Sequence, residues 1–428
     1  MKTDLEPASE EMMSPNGTAI QIDGDRLLSR INALGNIGRD GEGRLSRVAL
    51  TDEEKLGRDQ CVRWLEEAGL EVMIDRIGNI FGIWRIESNL EPIMFGSHID
   101  SVINAGIYDG CYGVLAGLSV IEAIRESGYT PDRSMIVGAF TNEEGVRYAP
   151  DMMGSLVYSG GLNVGEALST VGTDGTVLGE ELKRIGYAGE LEPGSIKPSY
   201  YIEVHVEQGP VLEAEGKLLG AVNNLQGISW QKISIKGVAN HAGTTPTYLR
   251  VDAGLAAAKV VTFLRSYVEG SNSVATVGTM KFEPNLVNVV PDFAEFTVDL
   301  RDPDAATLNA AEAALNVFLK DLETSGGVSV ETERLVRFEP VTFDESLVKL
   351  IETSAAARNL SCRRMTSGAG HDAQMMSRMC PTAMIFVPSR DGISHNPREF
   401  TEGESLIAGA QVLLDTASKL TGVYLCGC

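Results

Sequence analysis

The stretch PIMFGSHIDSVINAGIYDGCYGVLAGLSVIEAIR (92–125) decides the fold class. Pro92 to Ser97 is a short apolar run with the length of a buried strand. His98 stands at its end. Val114 to Arg125 then carries the apolar spacing of a helix, preceded by Asp109-Gly110. A strand that runs into a polar loop and then a helix is the repeating unit of an α/β layer.

Working outward, the alternation continues. On the amino-terminal side a helix is expected near Asp25 to Ala33. A second begins at Thr51, where Thr51-Asp-Glu-Glu54 has the form of a capping box, and runs through Cys61, Trp64 and Leu65 to Gly69. Glu71 to Ile74 and Ile80 to Arg85 read as strands, as do Ser134 to Phe140 and Tyr200 to Val206. The expected sheet is mixed or largely parallel.

The pattern changes at Asn223-Asn224. The order becomes strand (Ser229 to Ile235), helix (Asp252 to Val268), two strands (Val274 to Phe282, Phe293 to Leu300), helix (Ala305 to Glu323) and strand (Val328 to Glu333). That is β-α-β-β-α-β, the ferredoxin-like arrangement. After Phe338-Glu-Pro the α/β pattern resumes with a helix from Asp344 to Arg358 and a strand at Ala383 to Val387. A small domain over 224–337 is therefore expected inside a larger, discontinuous one formed by 1–223 and 338–428.

Composition fits two domains. The 428 residues are 43% hydrophobic and 22% charged. With 36 basic and 59 acidic residues the net charge is −23, which disfavours nucleic acid and anionic membranes as partners. Residues 1 to about 20 read as disordered and lack a secretory-signal pattern. No apolar run reaches the ~20 residues of a membrane span. The six cysteines are scattered apart from Cys426-Gly-Cys428, so reduced thiols and a cytoplasmic location are expected. Two terminal cysteines can bind metal, but structural sites normally use four ligands.

The chain has five histidines, at 98, 205, 241, 371 and 395. Each lies in a polar, Gly-containing or strand-end segment. His98 ends a strand, Glu143-Glu144 follow the end of Ser134 to Phe140, His205 is near the end of its strand, and His395 lies in the loop after Ala383 to Val387. In open α/β sheets the ligand crevice lies at the carboxyl ends of strands, so these segments can converge there, with Asp109 on the same rim. Imidazoles with carboxylates suit zinc, with manganese, cobalt or nickel as competitors. Asp100 can orient His98 through its second ring nitrogen, or be a solvated loop aspartate. Adjacent side chains at Glu143 and Glu144 project differently, so one can ligate while the other handles a proton.

Several motifs carry a family resemblance: GSHIDSV (96–102), YDGCYGVLAGL (108–118), FTNEEGVRYAPDMMGS (140–155), HVEQGPVLE (205–213), GVANHAGTTP (237–246), NLVNVVPD (285–292) with VDLRDPD (298–304), SGAGHDA (367–373) and SHNPREFT (394–401). Spread in order over residues 20 to 420, they resemble the hydantoinase/carbamoylase amidohydrolases, within the wider aminoacylase and carboxypeptidase G type of metallopeptidase. The resemblance implies a catalytic domain with two divalent metals, and an inserted small domain that forms a homodimer interface. It implies one metal on His98, Asp109 and His205, a second on Asp109, Glu144 and His395, and Glu143 as general base and acid. Gln208 is implied near the substrate, and His241 as an oxyanion contact reaching the neighbouring subunit's site. Asn288 and Arg301 are implied at the substrate carboxylate, helped by His371 and the amides of Gly368 to Gly370. Read from the residues alone, Arg301 can equally pair with Asp299 or Asp302, Asn288 can be structural, and Gly368-Ala-Gly370 can be an ordinary turn. Asn104-Ala105 and Tyr148 depart from the family's usual residues without touching a proposed ligand.

The implied substrate is an N-carbamoyl-L-α-amino acid. Allantoate or an N-carbamoyl-β-amino acid is the alternative, an N-acyl amino acid or peptide is more remote, and a non-catalytic binding protein would have lost ligands that are all present here.

Overall fold

Ile93–His98 and Met135–Phe140 are buried at every position, as befits strands with a neighbour on each side and helices over the sheet. In the computed structural model, which describes residues 20–423, these two strands pair in parallel, and Ile93–His98 also pairs in parallel with Tyr200–Val206. Thr382–Val387 extends the parallel set by pairing with Tyr200–Val206. Antiparallel strands flank this set: Ile80–Trp84 and Glu71–Ile74 on one side, Leu219–Leu225 on the other. The sheet is thus mixed, as expected. The readings of residues 1 to 19 and of Cys426 and Cys428 fall outside the described residues.

The direction of the strands matters for function. Four mutually parallel strands deliver their carboxyl ends to one edge, so His98, the Glu143 segment, His205 and the loop after Val387 emerge together.

The helix after the first of these strands is Cys111–Glu126, one turn longer at its start than the apolar spacing predicts. Gly110 precedes it at φ +64°, and every residue from Cys111 to Ile124 is buried. Thr51 caps its helix as read, accepting the Glu54 N–H at 3.3 Å. The reciprocal bond differs from a capping box: Glu54 accepts from Leu50 rather than Thr51, and holds buried Arg58.

Helices at Met153–Tyr158, Leu178–Ile185, Asp372–Met376 and Gly403–Leu420 were not expected. The first three are short. The last hides its period because its buried face includes Ser405, Gly409, Gln411, Asp415 and Thr416. No described helix is long and apolar enough to cross a membrane.

The described residues divide into two compact units, one that runs to Asn223 and resumes at Phe343 and the other Asn224–Thr342. The second has a four-stranded antiparallel sheet in the order Ser329–Phe338, Gly227–Lys236, Phe293–Asp302, Val274–Glu283. Helices Ala253–Val268 and Ala305–Gly326 complete the β-α-β-β-α-β order. Its core is built on period two: Ala294, Phe296, Val298 and Leu300 point inward against Val260, Leu308 and Leu315. The intervening Asp299 and Arg301 therefore share the opposite face.

Candidate metal centre

Each proposed ligand is set by the end of a strand or by a forced backbone turn. His98 Nδ1 lies 3.1 Å from the carbonyl oxygen of Asp100, and His205 Nδ1 lies 2.8 Å from that of Val206. A carbonyl only accepts, so Nδ1 carries a proton in both rings and Nε2 is the atom left to bind a metal. Both Nε2 atoms face one oxygen of Asp109, His98 at 3.5 Å and His205 at 3.2 Å from Oδ1. The other oxygen, Oδ2, is 3.2 Å from His395 Nε2, and Glu144 Oε2 is 3.5 Å from the same nitrogen.

Asp109 therefore stands between two groups, His98–Asp109–His205 and Asp109–Glu144–His395, each with its ligand atoms within 4.8 Å of one another. Two ligands on one tetrahedral cation, with bonds of about 2.1 Å, are about 3.4 Å apart. The spacings here match that value, and the donor set of imidazole and carboxylate suits a divalent metal.

Glycine is required beside this centre. At Gly110 a Cβ would come within 2.4 Å of His98 Nε2. Asn142, Met152, Gln208 and His395 all have φ between +50° and +57°, a conformation that costs energy without glycine and gathers at functional sites.

The electrostatics favour positive charge. Burial lowers His98, yet the nearby carboxylates of Glu143, Asp100 and Asp109 hold it well above its ordinary value. His205 behaves the same way through Asp109. His395 is raised to about 9, chiefly by its bond to Asp109. Burial raises Asp109, but three histidine bonds outweigh it and hold the group well below the usual carboxylate range. The same carboxylates that raise the proton affinity of these rings give the site a negative potential that attracts a divalent cation in the proton's place.

Glu143 belongs to neither ligand group. Its Oε2 lies 3.3 Å from His98 Nε2. Burial drives its carboxyl well above the ordinary range, with Asp372, Glu144 and Asp109 adding to the effect. Glu144 is raised to about 8, by burial and then Asp109.

Asp100 acts differently from expectation. Its carbonyl, not its carboxylate, is the nearer partner of His98; the carboxylate stands 3.6 Å away. The two carboxylate oxygens instead accept the backbone N–H groups of Glu143 and Glu144, at 3.2 and 3.3 Å.

A cavity of about 140 Å³ opens over the centre, lined by Asp109, Glu143, Glu144, Asp151, Gln208, Ala369, Gly370, His371 and His395. Gln208 Nε2 donates to Asp109 Oδ2 at 2.8 Å, while its buried Oε1 has no partner among the described residues. His371 packs edge-on against His205 with ring centres 4.5 Å apart, and its Nε2 is 3.1 Å from Ser367 Oγ. Burial and the neighbouring His205 hold it well below its ordinary value, so it is neutral. Gly370 is in the lining; Gly368 is exposed and is not.

In the second unit, His241 pairs with Val289 across a two-residue ladder, and the Ala242 N–H bonds the Asn288 carbonyl at 2.9 Å. His241 Nδ1 accepts from the N–H groups of Gly243 and Thr244, at 3.0 and 3.2 Å. Its proton is thereby assigned to Nε2, making this exposed ring a donor at its tip. Arg301 is held by Asp299, with Nη2 to Oδ2 at 2.8 Å, the pairing that the residues alone allowed.

Sequence reasoning missed Asp151 in the lining and Glu399 behind it. Glu399 is buried and accepts the N–H groups of Tyr108, at 3.0 Å, and Asp109, at 3.4 Å, and the Ser394 hydroxyl at 2.9 Å. It joins the loop of Asp109 to the loop of His395. Gly106 leaves room for it, since a Cβ there would come within 2.1 Å of Glu399 Oε2, a fit with no signal in the sequence.

A family description of peptidases M20/M25/M40 matches residues 94–419. The chain belongs to this peptidase family. Among relatives of this M20 chain, an N-carbamoyl-L-amino-acid amidohydrolase of Rhizobium meliloti is 37% identical over 405 residues, covering 94% of this chain and 97% of that protein. An allantoate amidohydrolase of Bacillus subtilis is 32% identical over 395 residues, covering 91% and 96%. The crystal structure of a hydantoinase/carbamoylase family amidase from Burkholderia multivorans superposes with a TM-score of 0.91 at 40% identity, covering 94% of this chain and 98% of that one. The resemblance read from the motifs is borne out, and with it the class of enzyme, a hydrolase.

Proposed function

We propose that the protein is a two-metal amidohydrolase that cleaves the carbamoyl C–N bond of an N-carbamoyl-L-α-amino acid, giving the amino acid, carbon dioxide and ammonia. The observation that carries this reading is the shared carboxylate of Asp109, one oxygen toward His98 and His205 and the other toward His395. When bound, two divalent cations polarise the ureido carbonyl and acidify a water. Zinc fits the imidazole-rich set best, with manganese, cobalt or nickel as competitors.

The protein's own groups supply the rest. Glu143, raised by burial and outside both ligand groups, takes the proton from water and returns it to the leaving nitrogen. His241 offers its Nε2 proton to the developing oxyanion, and Arg301 with Asn288 takes the substrate carboxylate. Gln208 steadies Asp109 and faces the substrate with Oε1. His371 and the turn Gly368 to Gly370, which reaches the cavity through Ala369 and Gly370, complete the substrate contacts.

His241 is assigned to the active site of a second copy in a homodimer. Exposed Tyr248, Leu286 and Val287, close in sequence to His241 and Asn288, support a covered face. Four free thiols at Cys61, Cys111, Cys362 and Cys380 support a reducing, cytoplasmic setting.

Allantoate is the second reading, favoured by the allantoate amidohydrolase among the relatives. The test is hydrolysis by metal-reconstituted protein of N-carbamoyl α- and β-amino acids, allantoate and N-acetyl amino acids, followed by released ammonia or amine. Turnover of N-acetyl compounds alone would overturn the carbamoyl assignment.

A further inference from the structure

The cavity contains four carboxylates, and three of them have work in the scheme above. Asp109 and Glu144 belong to the ligand groups and Glu143 is the base. The fourth, Asp151, is in neither group. Among the described residues its carboxylate makes no ion pair and no hydrogen bond to another residue, and bonds only to its own backbone.

Asp151 is held in place by its neighbours. The Met152 N–H donates to the Glu143 carbonyl at 2.7 Å. Met152 adopts φ +50° at the start of the Met153–Tyr158 helix. A Cβ on Gly145 would lie 2.8 Å from Asp151 Cα, and one on Gly370 would lie 3.1 Å from Met152 Cε. The backbone at Asp151 and Met152 is thus wedged between Gly145 and Gly370, and the Asp151 side chain is held at the cavity wall.

The carboxylate is half-buried and open to the cavity, so water pairs it until a substrate side chain displaces that water. An apolar side chain lying against it leaves the carboxylate unpaired and dehydrated, whereas an N–H donor or a cation satisfies it. Acidic side chains are repelled by the same group.

Resting on the ureido-acid reading above, we propose that Asp151 is a specificity-determining residue. It selects substrates whose side chain carries an N–H donor or a cation, such as a primary amide, a second ureido group or an ammonium, over apolar side chains of similar length.

The experiment measures kcat/KM for the metal-reconstituted wild type, Asp151→Asn and Asp151→Leu. The panel is matched N-carbamoyl and N-acetyl derivatives of glutamine, lysine and leucine, with allantoate. Metal content and thermal melting establish that each variant is folded and loaded. Wild type is expected to favour the glutamine and lysine compounds over leucine by about tenfold or more. Asp151→Leu should erase or invert that ratio, and the near-isosteric Asp151→Asn should lose the lysine preference while keeping that for glutamine. Calorimetric affinities of the same compounds for metal-loaded Glu143→Gln protein give the ratio without turnover.

A wild-type preference for leucine would overturn the proposal. So would an equal loss on all side chains, or an effect that follows only the carbamoyl-versus-acetyl choice. If only the N-acetyl series is hydrolysed, the carbamoyl reading fails separately, and the side-chain ratio within that series still decides the role of Asp151.

Discussion

The carboxylate of Asp100 accepts the backbone N–H of Glu143 at 3.2 Å, and this bond ties the turn after His98 to the segment that carries the proposed base. The same carboxylate takes the Glu144 N–H, and the Asp100 carbonyl orients His98. Asp100→Ala removes the two carboxylate bonds and leaves the carbonyl. It should lower metal affinity or activity by roughly 10–100-fold, the usual cost of losing a partner behind the ligands. Asp100→Asn should fall between, because one oxygen remains an acceptor. Chelator competition measures the affinity, and a wild-type value in the alanine variant would remove Asp100 from this role.

Glu143→Gln keeps the shape and hydrogen-bonding reach of the side chain but cannot carry the proton. Because Glu143 lies outside both ligand groups, the variant should bind metal as wild type does. Its kcat should fall by about 10²–10⁴-fold. Elemental analysis and steady-state kinetics check the two halves, and near-normal turnover would exclude Glu143 as base.

Much of this centre was legible in the sequence because strand ends announce themselves. Pro92 to Ser97 and Tyr200 to Val206 are apolar runs that stop at or beside a histidine, and strand direction then dictates convergence. Arg301 was legible as a charged residue in an alternating strand, where its partner Asp299 lies two residues away on the same face. What stayed hidden depends on long-range pairing. Glu399 is one acid among many until its contact with the Asp109 N–H, 290 positions earlier, is seen. Asp151 has no periodicity, and only the wedged chain around it shows that it lines the cavity. The Gly403–Leu420 helix was missed because small and polar residues fill its buried face, which blurs the 3.6-residue period.

Arg301 is expected to act on binding more than on chemistry. Asp299 accepts from Nε and Nη2 of its guanidinium, which sets the direction of the fork. Arg301→Ala should raise KM at least tenfold with a smaller change in kcat. Arg301→Lys should rescue poorly because a point charge cannot form the fork. Kinetics on a carboxylate substrate and its amide checks this; an equal response to both would break the assignment.

The proposed bridging role of Asp109 predicts a difference in metal stoichiometry. His395 belongs to one ligand group and Asp109 to both. His395→Ala should therefore bind one metal with near wild-type affinity and lose the other. Asp109→Ala should lose both, since removing the shared carboxylate also leaves three imidazoles without their common counter-charge. Elemental analysis after dialysis against a weak chelator separates one metal per chain from none, and equal stoichiometry in the two variants would contradict bridging.

The pH dependence of metal binding follows from the imidazoles. His395 is raised from 6.5 to about 9, chiefly by Asp109, and His98 and His205 are also raised. In the metal-free protein a proton on His395 is favoured by folding, so its contribution to stability is complete below about 6.5 and is lost as pH rises through about 9. A metal requires the bare Nε2, so binding carries the opposite sign. Apparent metal affinity should rise through this window by about tenfold per pH unit for each proton displaced. Calorimetric titration of the apo-protein at pH 7.5, in two buffers of different ionisation enthalpy, should show at least one proton released per metal at the His395 group. At pH 9.5 the number should be smaller, because His395 has by then largely lost its proton. Binding with no proton release at pH 7.5 would mean that the imidazoles are not held in their charged form by Asp109.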